Sequence, residues 1–228
     1  VRDVGNVLVT GGASGLGAAL VDAVEDAGGR ALVLDLREPR RPVEHEIVDL
    51  ADGRAAEAGV ADLVARAGSL DGVVTAAGID ACGVLEDVAA DRWEHVVRVN
   101  LLGTAAVVRA ALPALVASRG RVVTVASTLG LRALSDATAY CASKFGVVGF
   151  TRALTIELAD RVGVTLLVPG GMATAFFDER ETQYRPGDDA KLNDPRDVAK
   201  AALFALRQPA GCEVRELVIT PSIEPSWP

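Results

Sequence analysis

The run Asn6–Thr10, rich in Val and Leu, passes without a break into Thr10-Gly11-Gly12-Ala13-Ser14-Gly15-Leu16-Gly17, and a helical pattern follows over Ala18–Ala27. A short apolar run of this kind is what a strand buried on both faces of a parallel sheet shows. Strand, glycine turn and helix N-terminus in immediate succession make a phosphate cradle, because free backbone N–H groups and the helix dipole point at the anion. Glycines at 11, 15 and 17 permit the turn and let the backbone approach a pyrophosphate. Gly11, Ser14, Gly15, Leu16 and Gly17 are therefore candidate cofactor-binding residues. The same stretch also fits an ordinary glycine-rich loop. A Walker-type loop is excluded, since Ala18 stands where that loop has Lys.

The following elements favour the cofactor reading. A second strand, Arg30–Leu34, ends in Asp35, about twenty residues past the turn, where an acid can accept hydrogen bonds from ribose hydroxyls. A third strand, Glu46–Val48, leads to Asp49 and Leu50, placed to meet an adenine ring, and Ala51–Ala67 reads as a helix. The fourth strand, Asp71–Ala76, ends in Ala77-Gly78. Asp91–Ser118 has helical period, with Asn100 midway and Pro113 as an expected break or kink. A fifth strand, Gly120–Ala126, delivers Ser127 to its C-terminal end, the edge at which open α/β sheets bind ligands. A sixth, Val164–Val168, runs into Pro169-Gly170-Gly171-Met172-Ala173-Thr174. The least regular stretch, 175–192, carries Phe176, Phe177 and Tyr184 among its charges. A helix capped by Asp194 with Pro195 in its first turn and a seventh strand, Val214–Thr220, close the pattern.

Tyr140 and Lys144 open a further helical segment, Phe145–Asp160. Four residues apart, both side chains lie on one helical face. A phenol near its usual pKa of about 10 is a poor acid or base at neutrality, and a neighbouring ammonium is expected to pull it down. Spacing alone also fits two unrelated surface residues. Composition argues for chemistry: there are two Tyr in the chain, and Lys occurs only at 144, 191 and 200. An ammonium where the chain elsewhere uses guanidinium points to a need for Lys.

Length and charge bound the rest. With 228 residues, half of them hydrophobic, the chain can bury one substantial core and is read as a single domain, 1–228. A net charge of −8 with no basic run argues against a nucleic-acid partner. The N-terminal residues carry no long apolar stretch, and Arg109 and Pro113 interrupt the most apolar region, so no membrane span is expected. Cys82, Cys141 and Cys212 form neither a metal cluster nor a disulfide framework, and no metal is expected. The cytosol fits this best.

Taken together, Thr10-Gly-x-x-x-Gly15-x-Gly17, Asp35, Asp49, Gly78, Asn100, Ser127, Tyr140-x-x-x-Lys144 and Pro169-Gly170 with Thr174 resemble the short-chain dehydrogenase/reductase family, in order and over almost the whole chain. The resemblance implies a Rossmann-like, doubly wound α/β fold of about seven parallel strands and a nicotinamide cofactor. It implies a catalytic set of Asn100, Ser127, Tyr140 and Lys144, with Tyr140 as acid/base. Ser127 would bind the substrate oxygen, Lys144 would hold the nicotinamide ribose, and Asn100 would hold a relay water. Thr174 would meet the carboxamide. The implied reaction interconverts a secondary alcohol and a ketone. Two departures stand out: Ala76-Ala77-Gly78 replaces the usual Asn-Ala-Gly, which puts local rigidity in doubt, and the segment after Thr174 is short. NAD is expected over NADP, because a 2′-phosphate would sit against Asp35 and the flanking Ser14 and Leu36 are uncharged. Arg37 is the position that opposes this.

Similar proteins pair their long helices, so a homodimer or homotetramer is expected, with Val107, Val108, Ala111, Leu115, Val148, Thr151 and Leu158 serving the second face. Leu129, Leu134, Met172, Phe176 and Phe177 suggest a mainly apolar substrate pocket. Two rival classes are a Ser–His hydrolase, disfavoured because His45 and His95 are read as far from Ser127, and a dinucleotide-sensing protein without turnover.

Overall fold

The computed structural model describes residues 2–178, 180–187, 189–224 and 226. The apolar runs pair into one seven-stranded sheet, in the order β3-β2-β1-β4-β5-β6-β7, with every pair parallel. The strands are β1 Asn6–Thr10, β2 Arg30–Asp35, β3 Glu44–Ile47, β4 Gly72–Thr75, β5 Arg121–Val125, β6 Gly163–Pro169 and β7 Glu216–Ile219. The winding reverses between β1 and β4, which opens a crevice at their C-terminal ends.

Alternation along the central strands builds two cores. Val7 and Val9 face one side with α1 (Gly15–Asp26) and α6 (Pro195–Leu206), through Leu20, Val24, Val198 and Ala202. Leu8 faces the other, with α2 (Gly53–Ala67), α4 (Thr104–Ser118) and α5 (Thr138–Glu157), through Leu63, Val107, Leu115 and Leu154. Each Val or Leu among them contributes roughly 1.5–3 kcal/mol on full burial. Local sequence sets the helix ends. Asp52 caps α2 by accepting from the N–H groups of Arg54 and Ala55 (3.0 and 3.1 Å), and Gly68 ends it with φ of 78°. Asp194 caps α6 ahead of Pro195, as expected.

Several boundaries differ from the sequence reading. Helix α1 starts three residues earlier than Ala18, and β3 is displaced toward Glu44. Helix α5 starts at Thr138, so Tyr140 and Lys144 lie inside it. The long helix is interrupted at a different place: α3 (Ala90–Val97) enters a π-helical turn, Arg98–Gly103, before α4, while α4 runs through Pro113. Asn100 lies in that turn, a common device for re-aiming residues at a functional site.

By length and composition the Ala90–Ser118 run could cross a membrane, with a mean hydropathy of 1.7 over an 18-residue window. Here α4 instead turns Val107, Val108, Ala111 and Leu115 onto the sheet. That burial also corrects the expected assembly face. Val107, Val108, Ala111, Leu115, Val148, Thr151 and Leu158 are all buried within the chain. The large apolar residues these helices and the π turn leave exposed are Leu102, Val116, Phe145 and Ile156, because a helix with 3.6 residues per turn can turn only one stripe to its own core. Segment 175–192 holds two short 3₁₀ turns, Ala175–Phe177 and Thr182–Tyr184.

Candidate active site

A cleft of about 1930 Å³ opens at the C-terminal edge of the sheet. Every candidate named from the sequence lines it except Asn100: Gly11, Ser14, Gly15, Leu16, Gly17, Asp35, Asp49, Leu50, Gly78, Ser127, Tyr140, Lys144 and Thr174.

At the β1 end the turn is built for close backbone approach. A Cβ on Gly17 would lie 2.0 Å from the Gly11 carbonyl oxygen, so glycine is the only residue that lets the helix start against the turn. Ser14 is the N-cap of α1 but makes no side-chain cap, and the first turn holds no acid. Its backbone N–H groups therefore face the cleft without the partner a helix start needs, an arrangement that fits a bound pyrophosphate. Across the cleft Thr174 stands beside Gly15, where an added Cβ would come within 3.5 Å of it. Asp35 accepts from the N–H groups of Ala13 (2.9 Å) and Arg37 (3.0 Å), which fixes its carboxylate on the rim. The Arg37 guanidinium donates to Ser14 Oγ at 3.3 Å. It thus reaches back over the glycine turn. Asp49 accepts from Ala51 N–H (2.8 Å), a local turn, and Leu50 is mostly buried under the rim.

At the β5 end Ser127 accepts from Leu129 N–H at 3.1 Å, leaving its own O–H free to donate. The 3₁₀ turn Thr128–Gly130 presses onto α5, since a Cβ on Gly130 would fall 2.8 Å from the Lys144 carbonyl oxygen. Lys144 is 4% exposed and donates from Nζ to the Val125 carbonyl at 2.9 Å. Its Nζ lies 5.6 Å from the centre of the Tyr140 ring. Burial lowers the Lys144 ammonium to about 8, with Asp80 pulling the other way.

The electrostatics correct one expectation. Tyr140 is shifted upward, first by burial and then by the Asp80 carboxylate, while Ser127 and Arg180 oppose this. Desolvation of the phenolate outweighs the help of Ser127 and Arg180.

Asn100 stands one layer behind the cleft wall. Its Nδ2 donates to the Ile79 carbonyl (2.9 Å) and to Ser143 Oγ (3.0 Å), and its Oδ1 accepts from Ile79 N–H (2.9 Å). Its own carbonyl accepts from Thr104 Oγ1 at 2.8 Å. The amide braces the Gly78-Ile79 turn, and both its N–H donors are taken by protein groups. His95, read from the sequence as distant, lines the outer cleft, but it makes no hydrogen bond to Ser127 among the described residues.

The pattern of the short chain dehydrogenase family matches residues 5–185. The chain belongs to the short-chain dehydrogenase/reductase family. It is similar to the mouse (Mus musculus) L-fucose dehydrogenase, at 32% identity over 96% of this chain and 88% of the relative. It is also similar to an uncharacterised oxidoreductase of Staphylococcus aureus strain MW2, at 30% identity over 94% and 96% of the two chains. Among solved structures, the ligand-free aldohexose dehydrogenase of Thermoplasma acidophilum superposes with a TM-score of 0.86 at 24% identity, covering 96% of this chain and 93% of that one. The alcohol dehydrogenase of Thermococcus sibiricus, in complex with 5-hydroxy-NADP, gives a TM-score of 0.82 at 23% identity over 93% and 94%. Both share the fold.

This dehydrogenase carries features that motif reading passes over. Thr10 Oγ1 accepts from Ala77 N–H at 3.1 Å and ties β1 to β4 where the family's Asn is replaced. Thr75 Oγ1, beside Ala76, is buried without a partner among the described residues. Glu224 accepts from Gly171 N–H at 2.9 Å and fills the space a Cβ on Gly170 would need. Asp80 and Arg180 meet in the cleft (2.6 Å). The contacts of Thr10, Glu224 and Asp80 have no local sequence signal, because each partner lies more than fifty residues away.

Proposed function

We propose that this short-chain dehydrogenase interconverts a secondary alcohol and a ketone with NAD(H), Tyr140 serving as general acid/base. The observation that carries this reading is the buried Lys144 ammonium, anchored on Val125 beside Tyr140, with the free Ser127 O–H at the same end of the cleft. Bound NAD(H) would supply the hydride carrier and, when oxidised, a positive charge near Tyr140. The turn Gly11–Gly17 and the open start of α1 would hold its phosphates, Asp35 its ribose and Thr174 its nicotinamide end. Burial keeps Tyr140 protonated in the free protein, the form needed to protonate a carbonyl oxygen. Ser127 donates to that oxygen and fixes it within reach of the phenol. Asn100 positions the Gly78-Ile79 wall. L-fucose, the substrate in the mouse relative's name, carries secondary alcohols at C2, C3 and C4 and a hemiacetal hydroxyl at C1, so the name supports oxidation of a ring hydroxyl and leaves its position open.

NAD is favoured over NADP because the Asp35 carboxylate is pinned on the rim by two backbone donors; Arg37 works against that preference. We also propose a cytosolic homodimer or homotetramer. The exposed Leu102, Val116, Phe145 and Ile156 support assembly, and light scattering showing a monomer at micromolar concentration would end that reading.

Tyr140→Phe tests the central claim. Turnover should fall by about 10²–10⁴ while NAD affinity, read by calorimetry, stays unchanged. A variant as fast as the parent would refute Tyr140 as acid/base. A parent that binds NAD and turns over no alcohol or ketone would be a dinucleotide-sensing protein instead.

A further inference from the structure

Beside Tyr140 the cleft wall combines stacked aromatic rings with a buried ion pair. Phe176 packs on the Tyr140 ring at 5.7 Å between centres, and Phe177 meets Phe176 edge-on at 5.5 Å. The Arg180 guanidinium lies over both rings, 4.9 and 4.7 Å from their centres. Its terminal nitrogen donates to Asp80 Oδ2 at 2.6 Å, and the two side chains are only 17% and 5% exposed. Asp80 follows Ile79, whose N–H and carbonyl are both held by Asn100, so the carboxylate is set on a fixed wall. Arg180 comes from the short segment on the far side. The pair thus joins the two walls of the pocket one aromatic ring away from the acid/base.

An ion pair in such surroundings gains little stability over two well-packed apolar side chains. Its hydrogen bonding also leaves capacity unused. Among the described residues, Asp80 Oδ1 accepts only from Ala81 N–H (2.7 Å) and Oδ2 from Arg180 and Cys82 Sγ (3.3 Å). The buried Arg180 Nε has no partner among the described residues. A carboxylate oxygen with lone pairs to spare and an unused guanidinium donor therefore stand side by side. At Tyr140 the Asp80 charge is felt more strongly than that of Arg180, so an acid brought to the reacting end is repelled.

We propose that Asp80 and Arg180 form the polar end of the substrate pocket and select an uncharged, polyhydroxylated ring over monohydric alcohols and hydroxy acids. Asp80 accepts from one hydroxyl while Arg180 donates to the oxygen of its neighbour. The aromatic rings between the pair and Tyr140 set the distance to the reacting carbinol. This rests on the dehydrogenase reading above.

The test measures initial rates with NAD for D-glucose, L-fucose, cyclohexanol and mandelate, in the parent and in Asp80→Asn, Arg180→Met and Arg180→Lys. NAD affinity and melting are followed in each. The parent should prefer a hexose to cyclohexanol and mandelate. Losing one charged hydrogen bond should cut the hexose-to-cyclohexanol ratio of kcat/KM by about 10- to 100-fold, through KM more than kcat, at constant NAD affinity. Arg180→Lys keeps the charge but not the forked donor, so it should lose the ratio while melting like the parent. A parent that prefers cyclohexanol or mandelate overturns the inference and leaves the dehydrogenase reading standing. Equal losses on all substrates also overturn it, since the pair would then only hold the segment closed. A parent that oxidises none of the panel and reduces none of the matching carbonyls removes the dehydrogenase reading, and the inference with it.

Discussion

Replacing Lys144 by Met keeps a long, unbranched stem in the core and removes a titrating group that burial has already weakened. The ammonium is 4% exposed and, among the described residues, has one hydrogen bond, to the Val125 carbonyl. Its pKa falls from an ordinary 10.5 to about 8, chiefly by desolvation. At about 1.4 kcal/mol per pH unit, that shift amounts to about 3 kcal/mol. The sign follows from proton counts. Below pH 8 both folded and unfolded chains keep the proton, so the folded protein carries the full penalty. Between about 8 and 10.5 the unfolded chain binds more protons than the folded one, and stability rises with pH. The stability of the parent minus that of Lys144→Met should therefore climb by about 3 kcal/mol across this window and stay level below it. Tyr140 titrates in both proteins and cancels in the difference to first order. Urea unfolding of the cofactor-free proteins at a series of pH values measures the effect. A difference that stays flat from pH 7 to 11 would show that Lys144 keeps its charge in the fold, and the desolvation argument would fail. Turnover should be lost in the variant at every pH, so this side chain costs stability where it serves function.

Asp35→Ala should raise the NADP-to-NAD ratio of kcat/KM by about 100-fold or more. The basis is a repulsion of about 4 kcal/mol between a 2′-phosphate and the carboxylate at about 4 Å; a parent faster with NADPH than with NADH would refute the preference. Gly17→Ala should abolish NAD binding by calorimetry while circular dichroism keeps the helical signal, since the new Cβ would lie 2.0 Å from the Gly11 oxygen. Asn100→Ala strips partners from both Ile79 N–H and its carbonyl. At about 1–3 kcal/mol for each orphaned group, it should lower urea stability by several kcal/mol, and an unchanged midpoint would contradict the bracing role.

Much of the fold was legible because its signals are local. Apolar runs bounded by glycine and acid marked the strands, and Asp194-Pro195 marked the start of α6. The cleft candidates followed from the same logic, since a strand end at the C-terminal edge of a parallel sheet faces the ligand crevice. The misplaced details share one cause. The interruption at Asn100 instead of Pro113, and the inward turn of Val107 and Val148, depend on which face of a helix finds the sheet. Periodicity reports that a helix has an apolar stripe but not which neighbour covers it.

The order of strands and helices along the chain, the glycine cradle and the candidates at the strand ends could be read from sequence alone, all properties of short stretches with their own backbone preferences. Only the tertiary structure decided how those residues behave. It raised the Tyr140 phenol, lowered the Lys144 ammonium, engaged the Asn100 amide on Ile79 and brought Asp80 against Arg180, one hundred residues along the chain. Desolvation and charge pairing depend on which distant segments exclude water from a group, and no window of sequence contains that information.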